Sequence, residues 1–424
     1  MADAAQDVDR DYDRRVARLQ RVTKEVTTVT FLPEPDQRER KYTLISVDDH
    51  IVEPPYMFDG RLPAKFADQA PRVVEAASGR QFWLYDGVEI PNVGLNATAG
   101  RPITEYTVEP TRFDEMRRGA WDIDYRIREM DINGVYASVN FPSMLAGFGG
   151  QRLQLGHDPE LALATIRAWN DFVLEVWVGK YPERIIPMQL PYLLDATVGA
   201  AEIRANAARG FKAVAFTESP GHLGLPSIFT TYWDPFFQAC EETETAVCIH
   251  FGSASTSVIW SPDAVSRALI AYAAATSMLS ATDWLFAEIP VRFPRLKIAL
   301  SEGGIGWVAA MHDRLDHMNK YDEQWAEPWT CELTPSEVFH RNFWLCALDE
   351  PSAMATRERI GVDRIMLESD YPHADGSWPD SQTVLGQMLT SLAEDEVRRV
   401  TWQNAAELFR HPVPATVQAD PDAY

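Results

Sequence analysis

Apolar and polar positions along this 424-residue chain fall into a repeating order. Short apolar runs of strand length alternate with longer stretches of helical period. The runs occupy residues 42–50 (YTLISVDDH), 134–140, 184–192 (RIIPMQLPY), 211–218, 246–251 (AVCIHF), 296–302 (LKIALSE), 342–348 and 364–370 (RIMLESD). Runs that are apolar without strict alternation belong to strands covered on both faces, and strand–helix alternation predicts a parallel sheet. Eight such units predict an α/β fold of the (β/α)8 TIM-barrel type. No G-x-G-x-x-G follows an early strand, which argues against an open dinucleotide-binding sheet.

Three stretches break the rhythm. Residues 1–40 are charged and lack a strong apolar stripe; they read as an N-terminal extension in which 7–24 could form an exposed helix, either an arm for a partner subunit in a homodimer or, at least as readily, a loosely docked extension. Residues 52–130 interrupt the barrel between its first two strands. They contain Pro54-Pro55, a β-like stretch at 81–85 and a turn-rich segment near Gly100. An insertion after a strand lies on the catalytic face, so this one is expected to act as a lid or a substrate-selecting subdomain. The barrel itself is expected over 41–412, with 413–424 as a C-terminal tail.

Composition narrows the function. The formal net charge is −23, from 39 basic and 62 acidic residues. A field of that sign repels phosphate backbones and anionic lipid, so neither nucleic acid nor a membrane surface is an expected partner. The four cysteines form no C-x-x-C pair, the first twenty residues contain no apolar signal-like core, and no uncharged run is long enough to span a bilayer. These features predict a reduced, cytoplasmic protein.

The candidate chemistry lies at the strand ends. The first run ends in Asp48-Asp49-His50 with Glu53 beyond, the fourth in Glu218, the fifth in His250, the sixth in Glu302, and the eighth in Glu368-Ser369-Asp370 with His373 shortly after. Strand ends of a barrel converge on one mouth, so these residues can share a site. Side chains alternate along a strand, which puts Asp48 and His50 on one face and Asp49 on the other, and pairs Glu368 with Asp370. A lone acid at such a place is usually a helix cap, and a lone histidine is often a hydrogen-bonded core residue. Five strand ends carrying such groups are not explained that way. His312 and His317 lie in a predicted helix, His411 near the tail and His340 before the seventh strand, while His157 and His222 are loop residues able to line the mouth. No nucleophile elbow and no phosphate-binding loop is present. Gly303-Gly304 would permit a tight turn or a close approach to a ligand.

The stretches ISVDDHIVEPP, FTESPGHLGLPS, AVCIHFGSAS, ALSEGGIGW and ESDYPHADGSWPDS together resemble the amidohydrolase superfamily over residues 42–409. They are most similar to the branch containing aminocarboxymuconate-semialdehyde decarboxylase and related aromatic-acid decarboxylases. The resemblance implies that Asp48 and His50 fill the H-x-H position of strand one, His250 is the strand-five metal histidine, and Asp370 is the strand-eight aspartate. It also exposes departures. Asp48 replaces a histidine, Glu302 replaces the strand-six histidine, and the carboxylated lysine is missing, since Lys212 starts the fourth strand and Glu218 ends it.

The set Asp48, His50, Glu218, His250, Glu302 and Asp370 is carboxylate-rich, which suits iron or manganese, and two ions better than one. In this it resembles the TIM-barrel nonheme diiron monooxygenases, the group of the diterpenoid hydroxylase of the platensimycin and platencin pathway. That resemblance implies two irons per chain, dioxygen, an external electron donor and a bulky, coenzyme A-linked acyl substrate. Glu302 and His373 would be catalytic, His373 also serving as a distal ligand. Arg101, Arg112, Arg117 and Arg118 would meet coenzyme A phosphates. Thirteen tryptophans and nineteen phenylalanines could line a pocket for such a substrate, although aromatics more often pack the core. The alternative is a hydrolase or decarboxylase of a small carboxylic acid, with one zinc or manganese and Glu302 as general base. A scaffold that has lost its chemistry is disfavoured, because the strand ends remain rich in acid and imidazole.

Overall fold

A computed structural model describes residues 29–106, 110–256, 261 and 264–424. The helix expected at 7–24 lies outside them.

All eight predicted barrel strands form. The first is β1 (Ile45–Ile51). The insertion that follows carries a small sheet of β2 (Arg72–Glu75), β3 (Gln81–Tyr85) and β4 (Val88–Ile90). The barrel continues with β5 (Ala137–Pro142), β6 (Ile185–Ile186), β7 (Met188–Gln189), β8 (Ala213–Phe216), β9 (Ala246–His250), β10 (Ile298–Ser301), β11 (Phe343–Ala347) and β12 (Ile365–Leu367). The sheet order is β6-β5-β1-β12-β11-β10-β9-β8-β7, and every pairing in it is parallel. The pieces β6 and β7 are the third predicted strand, broken at Pro187, which has no N–H for a ladder. One piece pairs with β5 and the other with β8, so the barrel closes through this strand.

The barrel strands are buried throughout except for Trp344, which is half-buried, so their alternation is invisible in burial and shows only in what each side chain meets. Helices cover the outside. Several are set by readable end signals: Asp122 caps Ile123–Asn133 by accepting from Asp124 N at 3.0 Å, and Gly134 ends it at φ 71°. That helix begins within the stretch 52–130, so the last part of the expected insertion already belongs to the helical layer. The antiparallel β2–β4 sheet docks through Trp83 and Tyr85, both fully buried, with Tyr85 Oη donating to Leu153 O at 2.9 Å.

Residues 29–40 run beside the insertion, with Leu32 N donating to Gly100 O at 2.9 Å and Arg38 N to Ile132 O at 3.0 Å. The tail packs at the opposite end from the strand-end acids: Thr43 Oγ1 donates to Val417 O at 2.6 Å, and Tyr424 stacks edge-on to Tyr136. Among the described residues, no helix is long and apolar enough to cross a membrane.

Candidate metal centre

The site is assembled by three departures from regular strand geometry. The first is a bulge in β1. Ser46 pairs with Ser138 and Asp49 with Asn140, three steps on one strand against two on its neighbour. A bulge re-aims the residues around it. Asp48 and His50 turn into the barrel, whereas Asp49 accepts from Ser46 Oγ (2.9 Å), Ser369 Oγ (2.6 Å) and Tyr371 N (3.2 Å). The second and third are left-handed residues: Glu302 has φ 56° and Asp370 has φ 52°. Ser301 pairs with His250 and shares its face, so simple alternation would send Glu302 outward. The left-handed turn brings Glu302 Oε2 back to 2.9 Å from His250 Nε2. Such a conformation costs about 1–3 kcal/mol in a residue with a side chain and is concentrated at functional sites.

Around this frame lie Asp48, His50, His250 and Asp370, all at most 1% exposed. His50 Nε2 is 3.2 Å from His250 Nε2, 3.5 Å from Asp48 Oδ1 and 3.3 Å from Asp370 Oδ1. His250 Nε2 is 3.6 Å from Asp48 Oδ2. The other ring nitrogens face carbonyls, His50 Nδ1 toward Pro142 O at 3.2 Å and His250 Nδ1 toward Phe251 O at 2.6 Å. A nitrogen donating to a carbonyl leaves its ring partner bare, so two lone pairs face each other across 3.2 Å. Donors about 2.1 Å from one ion lie roughly 3.0–3.4 Å apart, close to the 3.2–3.6 Å found here. Both oxygens of Asp48 and of Asp370 lack a well-formed hydrogen bond, although nitrogens lie within reach. Buried acceptors pointed at one another without donors fit a divalent cation.

A second group overlaps the first. His373 stacks on His50 at 3.9 Å, its Nδ1 lies 2.9 Å from Asp370 Oδ1, and neither of its nitrogens has an aligned partner. Glu302, Asp370 and Asp375 also bring carboxylate oxygens together. Asp375 was not anticipated from the sequence. It lies five residues beyond Asp370 in a loop, and only its acidic type in YPHADG pointed to it.

Burial controls the electrostatics. Desolvation holds the carboxyls of Asp48 and Asp370 well above the usual range, reinforced by the neighbouring acids. Burial opposes ionisation of Glu302 as well, but the adjoining His250 imidazole outweighs it and the carboxyl ends below its ordinary value. Burial, helped by His373 and His250, keeps His50 far below 6.5, and burial, opposed by Glu302 and helped by His250, brings His373 to about 4. Neutral imidazoles beside acids that resist ionisation are poised to bind a cation rather than to pair as ions.

Glu218, an expected ligand, and Glu368, a strand-end acid outside the expected set, sit apart from these donors. Glu218 belongs to neither group: its Oε2 accepts from Gly252 N at 2.8 Å and Ala254 N at 3.4 Å, and its carboxyl is pushed up to about 8 by burial. It braces the loop after β9. Glu368 points below the centre, where it accepts from the Cys346 thiol and is pushed up to about 8 by burial. Gly303 and Gly304 serve packing rather than a ligand: a Cβ at Gly303 would fall 2.2 Å from the Ser277 side chain, and one at Gly304 2.8 Å from Glu350 Oε1.

Support from behind comes from Arg126, fully buried, which donates to Gly119 O at 2.7 Å, to Asn140 Oδ1 and to His50 O. The four arginines expected to meet phosphates are engaged by the protein itself. Arg101 donates to Glu115 O, Arg112 pairs with Asp114, Arg117 with Glu129 and Glu34, and Arg118 with Asp122. His157 pairs with Asp86 at 3.0 Å and His340 with Asp363 at 3.0 Å.

The Amidohydrolase family model matches residues 61–411, starting just beyond Asp48 and His50. Among solved structures, an amidohydrolase of Mycobacterium avium subsp. paratuberculosis K-10 is 22% identical with a TM-score of 0.65, over 88% of this chain and 100% of that one. The 5-carboxyvanillate decarboxylase of Sphingomonas paucimobilis is 21% identical with a TM-score of 0.60, over 87% and 99%. A dihydroxybenzoic acid decarboxylase of Polaromonas sp. JS666, with bound manganese and 2-nitroresorcinol, is 18% identical with a TM-score of 0.59, over 90% and 99%. At these identities the likeness is one of fold. No curated protein matches the chain.

Proposed function

The chain belongs to the amidohydrolase family, and from that premise we propose that it is a redox-neutral enzyme using one divalent cation, manganese or zinc, to decarboxylate or hydrolyse a small carboxylic acid. The observation that carries this reading is the pair of bare imidazole nitrogens 3.2 Å apart, flanked by the unpartnered carboxylates of Asp48 and Asp370. Asp48, His50, His250 and Asp370 would hold the ion. When bound, it supplies a Lewis acid for a substrate carboxylate or carbonyl oxygen.

Glu302 is the proton-handling group. Its side chain is 22% exposed, so it reaches the mouth while the four ligands remain enclosed. In a decarboxylation the electron pair of the broken C–C bond stays on carbon, which takes up one proton. Glu302, resting as a carboxylate, would take that proton from water or a substrate hydroxyl and pass it to the carbon; in a hydrolysis it would take one from the attacking water. His373, neutral and stacked on His50, stands 2.9 Å from Asp370 Oδ1 as a further donor beside the four. The same fold in the two decarboxylases named above, one holding manganese, supports the choice of reaction and ion.

The oxygenase expected from the carboxylate-rich donor set becomes the second reading. One observation favours it: the donors form overlapping groups that share His50 and Asp370, more than a single ion requires. Elemental analysis of protein from cells supplied with both iron and manganese, with carbon dioxide release and oxygen uptake followed on hydroxybenzoic acids, separates the two. One manganese or zinc per chain and turnover without oxygen uptake is the expected result. Two irons and substrate-coupled oxygen uptake would replace the first reading by the second.

A further inference from the structure

The loop after β5 holds an aromatic ring over the metal donors. Phe148 lies in the run Gly147-Phe148-Gly149-Gly150 and is half-buried. Its ring centroid is 4.0 Å from that of His250, 5.1 Å from His50 and 6.3 Å from His373. The ring also covers Gly252, where an added Cβ would touch it at 3.8 Å.

Glycines on both sides of a ring suggest a hinge, but the hydrogen bonds say otherwise. Ser143 N donates to Glu53 Oε1 at 3.2 Å, fixing the start of the loop to the end of β1. Gly147 N donates to Ser143 O (2.9 Å), Gly150 N to Gly147 O (2.8 Å) and Arg152 N to Ala146 O (3.0 Å). Gln151 then ties the crest down: its Oε1 accepts from Gly149 N at 3.0 Å and its Nε2 donates to Ser255 Oγ at 3.1 Å. The glycines are needed for closeness, since a Cβ at Gly147 would lie 2.7 Å from Gln151 Nε2. Behind the ring, between Leu95, Met144, Gln151 and Gly252, is a void of about 10 Å³. That is near the lower limit for one water, so the ring has nowhere to retreat.

We propose that Phe148 is the specificity-determining wall of the substrate pocket, restricting the group beside the metal to a single flat ring or a short acyl chain. The inference rests on the centre holding a divalent cation with a position open to an oxygen ligand. Its ring face is apolar and fixed, so it favours a planar carboxylate lying along it and rejects bulk projecting toward the void.

Hydroxamates test this without reference to turnover, because they chelate an open metal position whatever the reaction. Manganese-loaded wild type and Phe148→Ala would each be titrated calorimetrically with benzohydroxamate and with biphenyl-4-carbohydroxamate, after metal content is shown to be equal. Wild type is expected to prefer the smaller probe by about tenfold or more, and Phe148→Ala to lose or invert that preference, the scale on which apolar pockets discriminate. Phe148→Leu, which preserves the loop, should give an intermediate ratio. The same ratio in all three proteins, or equal affinity of wild type for both probes, overturns the proposal. So does failure of benzohydroxamate to bind any of them. Absence of turnover with an intact size effect would strike only the reaction proposed above.

Discussion

The two ends of the barrel differ in what their buried polar groups are aimed at. At the base, side-chain amides are tied to backbone carbonyls, although Asn404 Oδ1 and both ring nitrogens of His312 have no aligned partner. Asn342 Nδ2 donates to Leu296 O at 2.7 Å, Asn404 Nδ2 to Ile365 O at 2.7 Å and Val362 O at 2.8 Å, and each stitches a helix to a strand. At the mouth, Asp48, Asp370 and His373 are as deeply buried but lack aligned partners. A buried acceptor without a donor costs about 1–3 kcal/mol. The amide bonds of the base contribute stability, whereas the mouth spends part of it to keep donors ready for a cation. Asp48 and Asp49 show the contrast within two residues: Asp49 accepts three hydrogen bonds and Asp48 has no well-formed one.

The comparison breaks most sharply at His250. Replacing it by alanine should lower metal affinity by at least about a hundredfold, since even groups behind a ligand are worth 10–100-fold. Elemental analysis and activity should fall together while the melting temperature of the metal-free protein stays the same or rises. Asn342→Ala should do the reverse, costing about 1–3 kcal/mol in denaturant unfolding with metal affinity unchanged.

The two ends should also differ in the sign of their pH dependence. Burial raises Glu53, beside the mouth, from 4.5 to about 7, so the folded state holds its proton longer than the unfolded one. Its contribution is present below pH 4.5 and is lost as pH rises to about 7. Burial lowers His312, under the base, from 6.5 to about 4, so its contribution is present above pH 6.5 and is lost as pH falls to about 4. Each is worth up to about 3 kcal/mol. The two windows overlap and oppose, so in stability measured between about pH 4.5 and 6.5 Glu53→Gln should make it rise more steeply with pH, and His312→Phe should make it fall. The smallest effect is expected at Asp375→Asn, less than about tenfold in kcat/KM, a modest share of the range for a positioned acid. A halving of bound metal there would instead mark a second ion.

Much of this was legible along the chain. The eight strands were readable because each is an unbroken apolar run, and the break at Pro187 stands openly in RIIPMQLPY. The β3 stretch and the gathering of acid and imidazole at strand ends were readable for similar local reasons, whereas Gly134, read as the start of the second strand, instead ends the preceding helix. The opposed facing of Asp48 and Asp49 followed from period two alone.

Other features required the folded chain. Alternation cannot foresee that Glu302 and Asp370 take left-handed turns, that Glu218 spends its carboxyl on Gly252 and Ala254, or that Asp375 curls back toward Glu302. The arginines of the insertion read as free charge until their protein partners come into view. The wall formed by Phe148 depends on residues of β1, β9 and the insertion meeting one loop. Sequence by itself determined which residues could bind a cation, because that is a property of their chemistry and of strand period. Tertiary structure decided which of them do face one another, because lone-pair directions are set by long-range packing and by backbone turns that only that packing can hold.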